Sequence, residues 1–160
     1  MPEPTATSKV ATQSRPSPNH NSRGTKEIKC IVLHADASPN ERGTLSWIQA
    51  SESKVSYHTL IGRDGTIYRC VPYDRRAWHA GKANWQGEKD VNGISIGVAI
   101  ASRHDGKEPM TDAQKASLHG VLTEIRAKYG PLPVTTHAAI APGRKTDPEA
   151  IPNFTLADYA

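Results

Sequence analysis

The sequence predicts a single α/β domain, in which a mixed central β-sheet is flanked by helices. Residues 30–33 are all apolar, which is typical of a central strand buried on both faces. Residues 111–129 carry large apolar side chains at a spacing of three to four, which predicts a long amphipathic helix. The pair Asp64-Gly65 lies between two β-prone runs and supplies the turn that a β-hairpin needs. A chain of 160 residues suffices for one domain with a core and is short for two.

The N-terminal segment differs from the rest of the chain. Residues 1–25 are rich in Pro, Ser, Thr and Asn and contain almost no large apolar side chain, so they cannot bury enough surface to offset their ordering entropy. We therefore predict a disordered basic tail over residues 1–25 and a folded domain over residues 26–160. The tail is either a solvated leader or a segment that is attracted to an anionic cell envelope.

The other elements follow from the same periodicities. Thr111 and Gln114 form a capping box at the start of the long helix, and Gly130 with Pro131 ends it. The remaining predictions are a short helix over 44–53, hairpin strands over 57–61 and 66–71, a strand over 94–101, a short strand over 134–136 and a loop rich in Gly and Pro over 141–152.

Composition excludes several classes of protein. No apolar run approaches the ~18 residues that span a bilayer, so we expect no membrane insertion. Residues 1–24 contain no apolar segment of the kind that a secretory signal peptide needs, so we expect synthesis in the cytoplasm. Two cysteines exclude a disulfide scaffold, and we expect Cys30 and Cys70 to be buried free thiols. We also expect the protein to be a monomer.

The charge balance suits an anionic partner. The net charge is +4 and the isoelectric point is about 9.1, so nucleic acid, lipopolysaccharide or a cell-wall polymer would each be attracted. Because Lys and Arg are spread along the chain instead of being massed in one segment, we expect no binding of nucleic acid.

Two histidines lie where predicted strands end. His34 follows the buried strand, and His137 follows the strand predicted over 134–136 and opens a long loop. Sites in α/β folds form where strands end. Two imidazoles with the carboxylate of Asp147 would leave one position of a tetrahedral zinc site open for water. The spacing between His137 and Asp147 also arises often by chance, so the spacing alone does not establish a metal site.

Further polar residues lie close to these positions in the sequence. Lys145 could stabilise an oxyanion, although a solvated surface lysine looks the same in a sequence. Tyr57 could orient or deprotonate a water molecule, while His58 next to it on a predicted strand points to the opposite face and is expected to be structural. Trp78 and His79 combine an aromatic with a polar group, which suits the binding of sugar or peptide or the packing of a loop.

Five stretches in order resemble the zinc-dependent N-acetylmuramoyl-L-alanine amidases, the family of the type 2 amidases and the peptidoglycan recognition proteins. The resemblance covers roughly residues 27–155, and its last stretch is typical of bacterial and phage members. The matching stretches are Ile31-Val32-Leu33-His34, Ser56-Tyr57-His58-Thr59-Leu60-Ile61-Gly62-Arg63-Asp64-Gly65, Arg76-Ala77-Trp78-His79-Ala80-Gly81, Asn92-Gly93-Ile94-Ser95-Ile96-Gly97 and His137-Ala138-Ala139-Ile140-Ala141-Pro142-Gly143-Arg144-Lys145-Thr146-Asp147-Pro148.

The resemblance implies a fold and an activity. It implies a mixed β-sheet flanked by helices, with a zinc cleft on one face and residues 26–160 as the catalytic domain. It also implies cleavage of the amide between the lactyl group of N-acetylmuramic acid and L-alanine in bacterial peptidoglycan. By matching position, His34, His137 and Asp147 would bind Zn²⁺, and Lys145 would stabilise the oxyanion.

The chain departs from one branch of this family. Recycling amidases that act on anhydromuramyl peptides carry a glutamate base in the strand after the Ser-Ile-Gly motif, where this chain has Ala99 and Ala101. Small phage amidases instead have a tyrosine at the position of Tyr57. We therefore assign the base role to Tyr57 and predict a phage or prophage endolysin, which acts on the cell wall after release from the cytoplasm.

The same stretches supply candidates for substrate binding and an alternative function. We predict that Trp78, His79 and Asn92 bind substrate. The alternative to an enzyme is a non-catalytic module that recognises peptidoglycan. Family members that only bind typically lack a zinc ligand, whereas this chain retains all three, and the resemblance therefore favours the enzyme.

Overall fold

The computed structural model describes residues 11–160, and it confirms the predicted class, since helices flank a mixed central sheet. The eight strands are β1 (Thr12–Ser14), β2 (His20–Ser22), β3 (Cys30–Ala35), β4 (Thr59–Ile61), β5 (Ile67–Arg69), β6 (Arg75–Ala77), β7 (Ser95–Ile100) and β8 (Val134–Thr136). The helices are α1 (Glu41–Gln49), α2 (Val91–Ile94), α3 (Asp112–Tyr129) and α4 (His137–Ile140), with 3-10 turns at Ser51–Ser53 and Leu156–Tyr159.

Six strands form the main sheet in the order β1-β5-β4-β7-β3-β8, and β2 pairs with β6 in a separate ribbon. The hairpin of β4 and β5 is antiparallel, whereas β7 lies parallel to both β3 and β4, and β8 lies parallel to β3. The carboxyl ends of β3 and β8 therefore meet at one edge, which brings His34 and His137 together. Strands β3 and β7 are buried along their whole length, as the apolar run predicts.

The two faces of the sheet have different roles. On one face, Ile31 and Leu33 of β3 pack with Leu118, Leu122 and their neighbours on α3. The other face of β3 carries Cys30, Val32 and His34, because successive side chains of a strand point to opposite sides. Helix α1 covers part of this second face through Leu45 and Ile48. The active-site candidates thus lie on the face opposite the long helix.

The predicted disordered tail is wrong for residues 11–25, while residues 1–10 lie outside the described part of the chain. Strand β1 pairs in parallel with β5, and β2 pairs with β6. Ser17, Asn19 and Arg23 are buried. The prediction considered only apolar burial, but this segment is attached by hydrogen bonds, which make the burial of polar groups tolerable.

Two of these buried polar side chains show how the segment is attached. The amide Nδ2 of Asn19 lies 3.0–3.1 Å from carbonyl oxygens of Ile48, Ala50 and Val55. The guanidinium of Arg23 donates to the carbonyl oxygens of Tyr73, Asn92 and Gly93 at 2.8–3.2 Å. The segment therefore ties α1, the loop after β5 and α2 to one another.

The element boundaries differ from prediction in a few places. The helix predicted over 44–53 begins earlier, since the side chain of Asn40 caps it by accepting a hydrogen bond from the N–H of Gly43. It ends at Gln49 and is followed by the 3-10 turn. The capping box of Thr111 and Gln114 is confirmed. Within residues 11–160, the structure has no helix that is long and apolar enough to cross a membrane.

Candidate active site

A cleft of about 550 Å³ collects nearly all the residues that the sequence singles out. Its lining includes Tyr57, Trp78, His79, Asn92, His137, Lys145 and Asp147. His34 is the exception, because it is 1% exposed and lies behind the wall of the cleft. The cleft opens on the face of the sheet opposite α3.

Each of the three predicted metal ligands is held by regular structure. His34 belongs to β3, and His137 is the first residue of α4, whose N-terminus is capped by the side chain of Thr136. Asp147 lies in a loop that folds back onto both, because its carbonyl oxygen accepts from the N–H of Ala138 at 2.9 Å. Its Oδ2 accepts from the N–H of Ala35 at 3.2 Å.

The ligand atoms converge at distances that suit a small cation. Nδ1 of His34 lies 3.0 Å from Nδ1 of His137 and 3.5 Å from Oδ2 of Asp147. Nδ1 of His137 lies 3.3 Å from Oδ1 of Asp147. Tetrahedral coordination with bonds of about 2.0–2.2 Å separates ligand atoms by about 3.4 Å. Within residues 11–160, this is the one group of three or more His, Cys, Asp or Glu side chains that is arranged to hold a metal.

Hydrogen bonds on the far side of His137 assign its protons. Its Nε2 lies 2.9 Å from the carbonyl oxygen of Ala80, which can only accept. The proton of the neutral imidazole is therefore on Nε2, and Nδ1 keeps its lone pair toward His34 and Asp147.

A longer chain of hydrogen bonds assigns the protons of His34. The hydroxyl of Ser95 donates to the carbonyl oxygen of Val91 at 2.6 Å, so its oxygen can accept from Nε2 of His79 at 3.0 Å. Nδ1 of His79 is then an acceptor, and it lies 2.9 Å from Nε2 of His34. His34 therefore donates from Nε2 and keeps the lone pair of Nδ1. Two lone pairs and a carboxylate thus face one another, an arrangement that a cation between them would stabilise.

Burial determines the charges of these groups. It lowers the pKa of His34 to about 4, although the adjacent Asp147 partly opposes the change. It also holds the pKa of His79 well below the ordinary value, and neighbouring histidines add to the effect. Burial works against ionisation of Asp147, but an adjacent imidazole that presents a proton to the carboxylate outweighs it and holds the pKa of the carboxyl below its usual range. At neutral pH, neutral His34 and anionic Asp147 are suitable ligands for a divalent cation.

Small residues of β7 make room for the imidazoles. Ser95, Gly97 and Ala99 face the site side of the sheet, where larger side chains would fill the space. A Cβ atom added to Gly97 would lie 2.5 Å from Cγ of His79. The glycine is therefore needed for the close approach of the His79 ring to the strand.

Tyr57 and Lys145 both border the metal-ligand group. The ring of Tyr57 lies 5.1 Å from that of His34, between centroids. Burial raises the pKa of the Tyr57 hydroxyl, and the carboxylates of Asp147 and Asp36 add to this, so the hydroxyl is a hydrogen-bond donor at neutral pH. The ammonium of Lys145 belongs to an exposed side chain on the cleft wall.

Tyr57 and His58 line different cavities, which agrees with the predicted opposite orientation of their side chains. The ring of His58 lies 6.0 Å from that of His79, between centroids, while Tyr57 packs beside His34. His58 accepts from the N–H of Gly97 and donates to a carbonyl oxygen, as expected for a structural histidine.

The three residues predicted to bind substrate line the cleft, but all three use polar side-chain atoms in contacts within the protein. Oδ1 of Asn92 accepts from the N–H groups of His79 and Ala80 at 3.1 and 2.8 Å. Nδ1 of His79 contacts His34, and Nε2 of His79 contacts Ser95. Trp78 is half-buried, and its indole N–H donates to Asn21. Binding of substrate by these three residues stays a prediction.

Sequence reasoning missed several residues of the site. Ser95 is part of a quoted motif, and a buried hydroxyl on a strand edge was a signal that it holds a histidine. Asp36 and His104 also line the cleft, as does Arg144, whose guanidinium donates to the carbonyl oxygen of Ala80 at 2.7 Å. These three lie in predicted loops, where sequence spacing does not say which side chains converge.

Comparison with protein families gives one match. The family described as N-acetylmuramoyl-L-alanine amidase matches residues 24–150. Among curated relatives, the 1,6-anhydro-N-acetylmuramyl-L-alanine amidase AmpD of Salmonella typhimurium strain SL1344 is 36% identical over 155 residues, which cover 83% of this chain and 81% of the relative. An endolysin of Enterobacteria phage K11 is 31% identical over 134 residues, which cover 81% of this chain and 80% of the relative.

Solved structures share the fold. A selenomethionine derivative of AmpD superposes with a TM-score of 0.75 at 32% identity, covering 94% of this chain and 93% of that one. AmiD of E. coli, in complex with the substrate anhydro-N-acetylmuramic acid-L-Ala-D-γ-Glu-L-Lys, superposes with a TM-score of 0.73 at 31% identity. That match covers 87% of this chain and 58% of AmiD.

Proposed function

Because the chain belongs to the N-acetylmuramoyl-L-alanine amidase family, we propose that it hydrolyses the amide between the lactyl group of N-acetylmuramic acid and L-alanine in peptidoglycan. The observation that carries this proposal is the convergence of Nδ1 of His34, Nδ1 of His137 and the carboxylate of Asp147 at the wall of an open cleft. A binding module would need the cleft but not three cation ligands.

The donor set fits a zinc ion. The three separations of 3.0, 3.3 and 3.5 Å are close to the edge of a tetrahedron, and two imidazoles with one carboxylate form a known catalytic zinc set. Bound there, zinc would make a water molecule an effective nucleophile near neutral pH and would polarise the substrate carbonyl. A set of two histidines and one carboxylate also suits non-haem iron, so elemental analysis should measure both metals.

The chain's own residues supply the remaining chemistry. The carbonyl of Ala80 and the Ser95–His79 chain fix the orientation of the two imidazoles. We assign to the Tyr57 hydroxyl, which lines the same cleft, the role of orienting the attacking water and exchanging a proton with it. The ammonium of Lys145 stabilises the negative charge that develops on the carbonyl oxygen as the amide is attacked. Departure of the L-alanine amine leaves a free lactyl carboxylate.

We further propose that the chain acts on the cell wall as an endolysin does. On β7, Ser95, Gly97 and Ala99 face the site, and none has a carboxylate that could serve as the base of the recycling amidases. The phage K11 relative is named an endolysin, although relatives named AmpD have slightly higher identity. In this proposal the protein is made in the cytoplasm and reaches its peptidoglycan partner after release.

The decisive experiment is digestion of purified peptidoglycan, with and without a chelator, followed by mass analysis of the products. We expect free lactyl ends and new L-alanine amino termini, and we expect both to disappear with the chelator. The matched variant His137→Ala should lose the metal, which is measured by elemental analysis for zinc and iron. Release of reducing sugar ends would identify a glycosidase and overturn the proposal, and co-sedimentation with the wall without any product would favour the binding module.

A further inference from the structure

A second cavity of about 460 Å³ opens beside the active-site cleft, and we call it the α1 lobe. The α1 lobe shares Asp36, Val55, Tyr57 and Lys145 with the cleft. Its remaining lining is Ser38, Gly43, Thr44, Trp47 and Ile48. A polymeric ligand that lies at the metal ligands can therefore continue past Tyr57 and Lys145 along helix α1.

The α1 lobe contains an unusually exposed aromatic side chain. Trp47 is 58% exposed, and among residues 11–160 it is the one large apolar side chain that is exposed. The helix that carries it is well fixed, since Asn40 caps it and Leu45 and Ile48 pack in the core. The indole is thus presented to solvent on a rigid element beside the cleft, as a binding platform should be.

A glycine one turn earlier leaves the indole uncovered. Residues four apart lie above one another on a helix, and side chains lean toward its N-terminus, so a side chain at Gly43 would lie next to that of Trp47. Gly43 does not have a positive φ, and a Cβ there would meet Oδ1 of Asn40 no closer than 3.4 Å. Glycine destabilises a helix relative to alanine. The fold does not require a glycine at position 43, whereas an open α1 lobe requires one.

Polar groups surround this apolar platform. Asp36, Ser38 and Thr44 lie on the wall, and Lys145 lies at the boundary with the cleft. The carboxylate of Asp36 is fixed by the hydroxyl of Thr44 at 2.7 Å and by the N–H of Ser102 at 2.9 Å. An apolar face edged by hydroxyl and carboxylate groups matches a pyranose, which has an apolar C–H face and a polar edge of hydroxyl and acetamide groups.

We propose that the α1 lobe binds the sugar residue that follows the reacting muramic acid in a glycan strand, with its C–H face stacked on Trp47. This inference rests on the proposed function, because it continues the substrate of that site by one residue. The stem peptide carries carboxylates and fits the other side of the cleft, where Arg144 lies. The proposal makes glycan strands better substrates than a monomeric muropeptide with a single sugar.

The first test is binding of peptide-free glycan strands of alternating N-acetylglucosamine and N-acetylmuramic acid, followed by tryptophan fluorescence and calorimetry. We expect Trp47→Ala to weaken binding about tenfold, which is the scale of one lost aromatic contact. Gly43→Met should have a similar effect by filling the α1 lobe, while the helix gains stability. The matched control is Arg42→Ala on the same helix, where an exposed side chain faces a different cavity.

The second test compares kinetics on glycan strands that carry stem peptides with kinetics on the monomeric muropeptide. Trp47→Ala and Gly43→Met should raise KM for the strands about tenfold more than KM for the monomer. An unchanged ratio of the two KM values, with both variants folded, would overturn the proposed binding of a sugar in the α1 lobe. It would leave the proposed amidase activity unaffected. No amide cleavage by the unaltered protein on either substrate would instead overturn the proposed function. A concentration-dependent dimer that Trp47→Ala abolishes would show that Trp47 serves an interface, and would also overturn the inference.

Discussion

Tyr57 and Lys145 line the same cleft as the proposed metal ligands His137 and Asp147 without belonging to that group. If they act on the proton and the oxyanion, Tyr57→Phe and Lys145→Ala should each retain the metal and lower kcat by ~10²-fold or more. Metal content and turnover of the amide cleavage, measured on the same preparations, check this. Tyr68→Phe and Lys107→Ala, which lie outside the cleft, serve as controls. Turnover close to that of the unaltered protein in Tyr57→Phe would remove this tyrosine from the mechanism.

Ser95 would affect a metal bound at His34 only through the ring of His79. Ser95→Ala removes the acceptor that fixes the proton on Nε2 of His79, so His34 loses its oriented partner. Partners of this kind typically contribute ~10–100-fold to metal affinity. We expect a loss of that size in a competition titration against a chromophoric chelator. Ser102→Ala, which removes another buried hydroxyl on the strand's continuation, should leave the affinity unchanged.

Affinity in Ser95→Ala equal to that of the unaltered protein would contradict the assigned tautomers. His34 would then keep its Nδ1 lone pair for a reason other than the hydrogen-bond chain. A loss of affinity in Ser102→Ala as large as that in Ser95→Ala would show a general effect of deleting a buried hydroxyl.

At the residue scale, the sequence predicts the candidate metal ligands better than it predicts the residues that orient them. His34, His137 and Asp147 belong to contiguous motifs, and the structure brings their side chains together. The role of Ser95 depends on Val91 and on a ring 16 residues earlier, so no local spacing encodes it. Hydrogen-bond chains across elements are properties of the assembled fold.

At the scale of elements, the N-terminal segment is held mainly by polar contacts. Asn19→Ala would leave several buried carbonyl groups without their donor, so the free energy of unfolding should fall by about 2 kcal/mol. Urea denaturation measures the change. The matched control is Gln13→Ala in β1, whose exposed side chain should contribute within about 0.5 kcal/mol. A change in Asn19→Ala as small as that of the control would mean that the segment is not stabilised by this amide.

Elements with strong periodicity were predictable, and polar or very short elements were not. Helix α3 and strand β8 have the predicted extents within one residue, because an apolar stripe and a Gly-Pro end are local signals. Strands β1, β2 and β6 have three residues each and few apolar side chains. They are formed by pairing with distant strands, which a single sequence does not reveal.

At the scale of the whole molecule, buried neutral histidines should make the fold sensitive to acid. An unfolded histidine binds its proton near pH 6.5, whereas burial lowers the pKa of His34 to about 4 and that of His58 to about 3. Between the folded and the unfolded pKa, the unfolded state binds more protons than the folded state. The free energy of unfolding is therefore highest above pH 6.5 and falls as the pH decreases. Each buried histidine should contribute about 1.4 kcal/mol per pH unit.

Thermal unfolding of the chelator-treated protein from pH 7.5 to pH 4 measures this dependence. His58→Gln should weaken the dependence on pH, while the exposed His119→Gln should leave it unchanged. A melting temperature that stays constant between pH 6.5 and pH 4.5 would contradict the neutral state of these imidazoles.

The class of the whole molecule was predictable because several independent signals agree. The apolar central strand, the Asp-Gly hairpin and the capped long helix together indicate a sheet covered by helices. The order of strands in the sheet was not predictable from the elements alone, since β7 inserts between β4 and β3 by long connections. The position of the cleft follows from that order and not from any one motif.

The contacts of Arg23 also limit how early this part of the chain can fold during synthesis. Two of its carbonyl acceptors belong to residues 69 and 70 positions later. At about 5–20 residues per second, the ribosome needs roughly 4–14 seconds to deliver them. During that interval Arg23 lacks these two acceptors, although the carbonyl groups that contact Asn19 lie only 29–36 residues further along the chain. The contacts of Arg23 with α2 therefore form later than those of Asn19 with the region around α1.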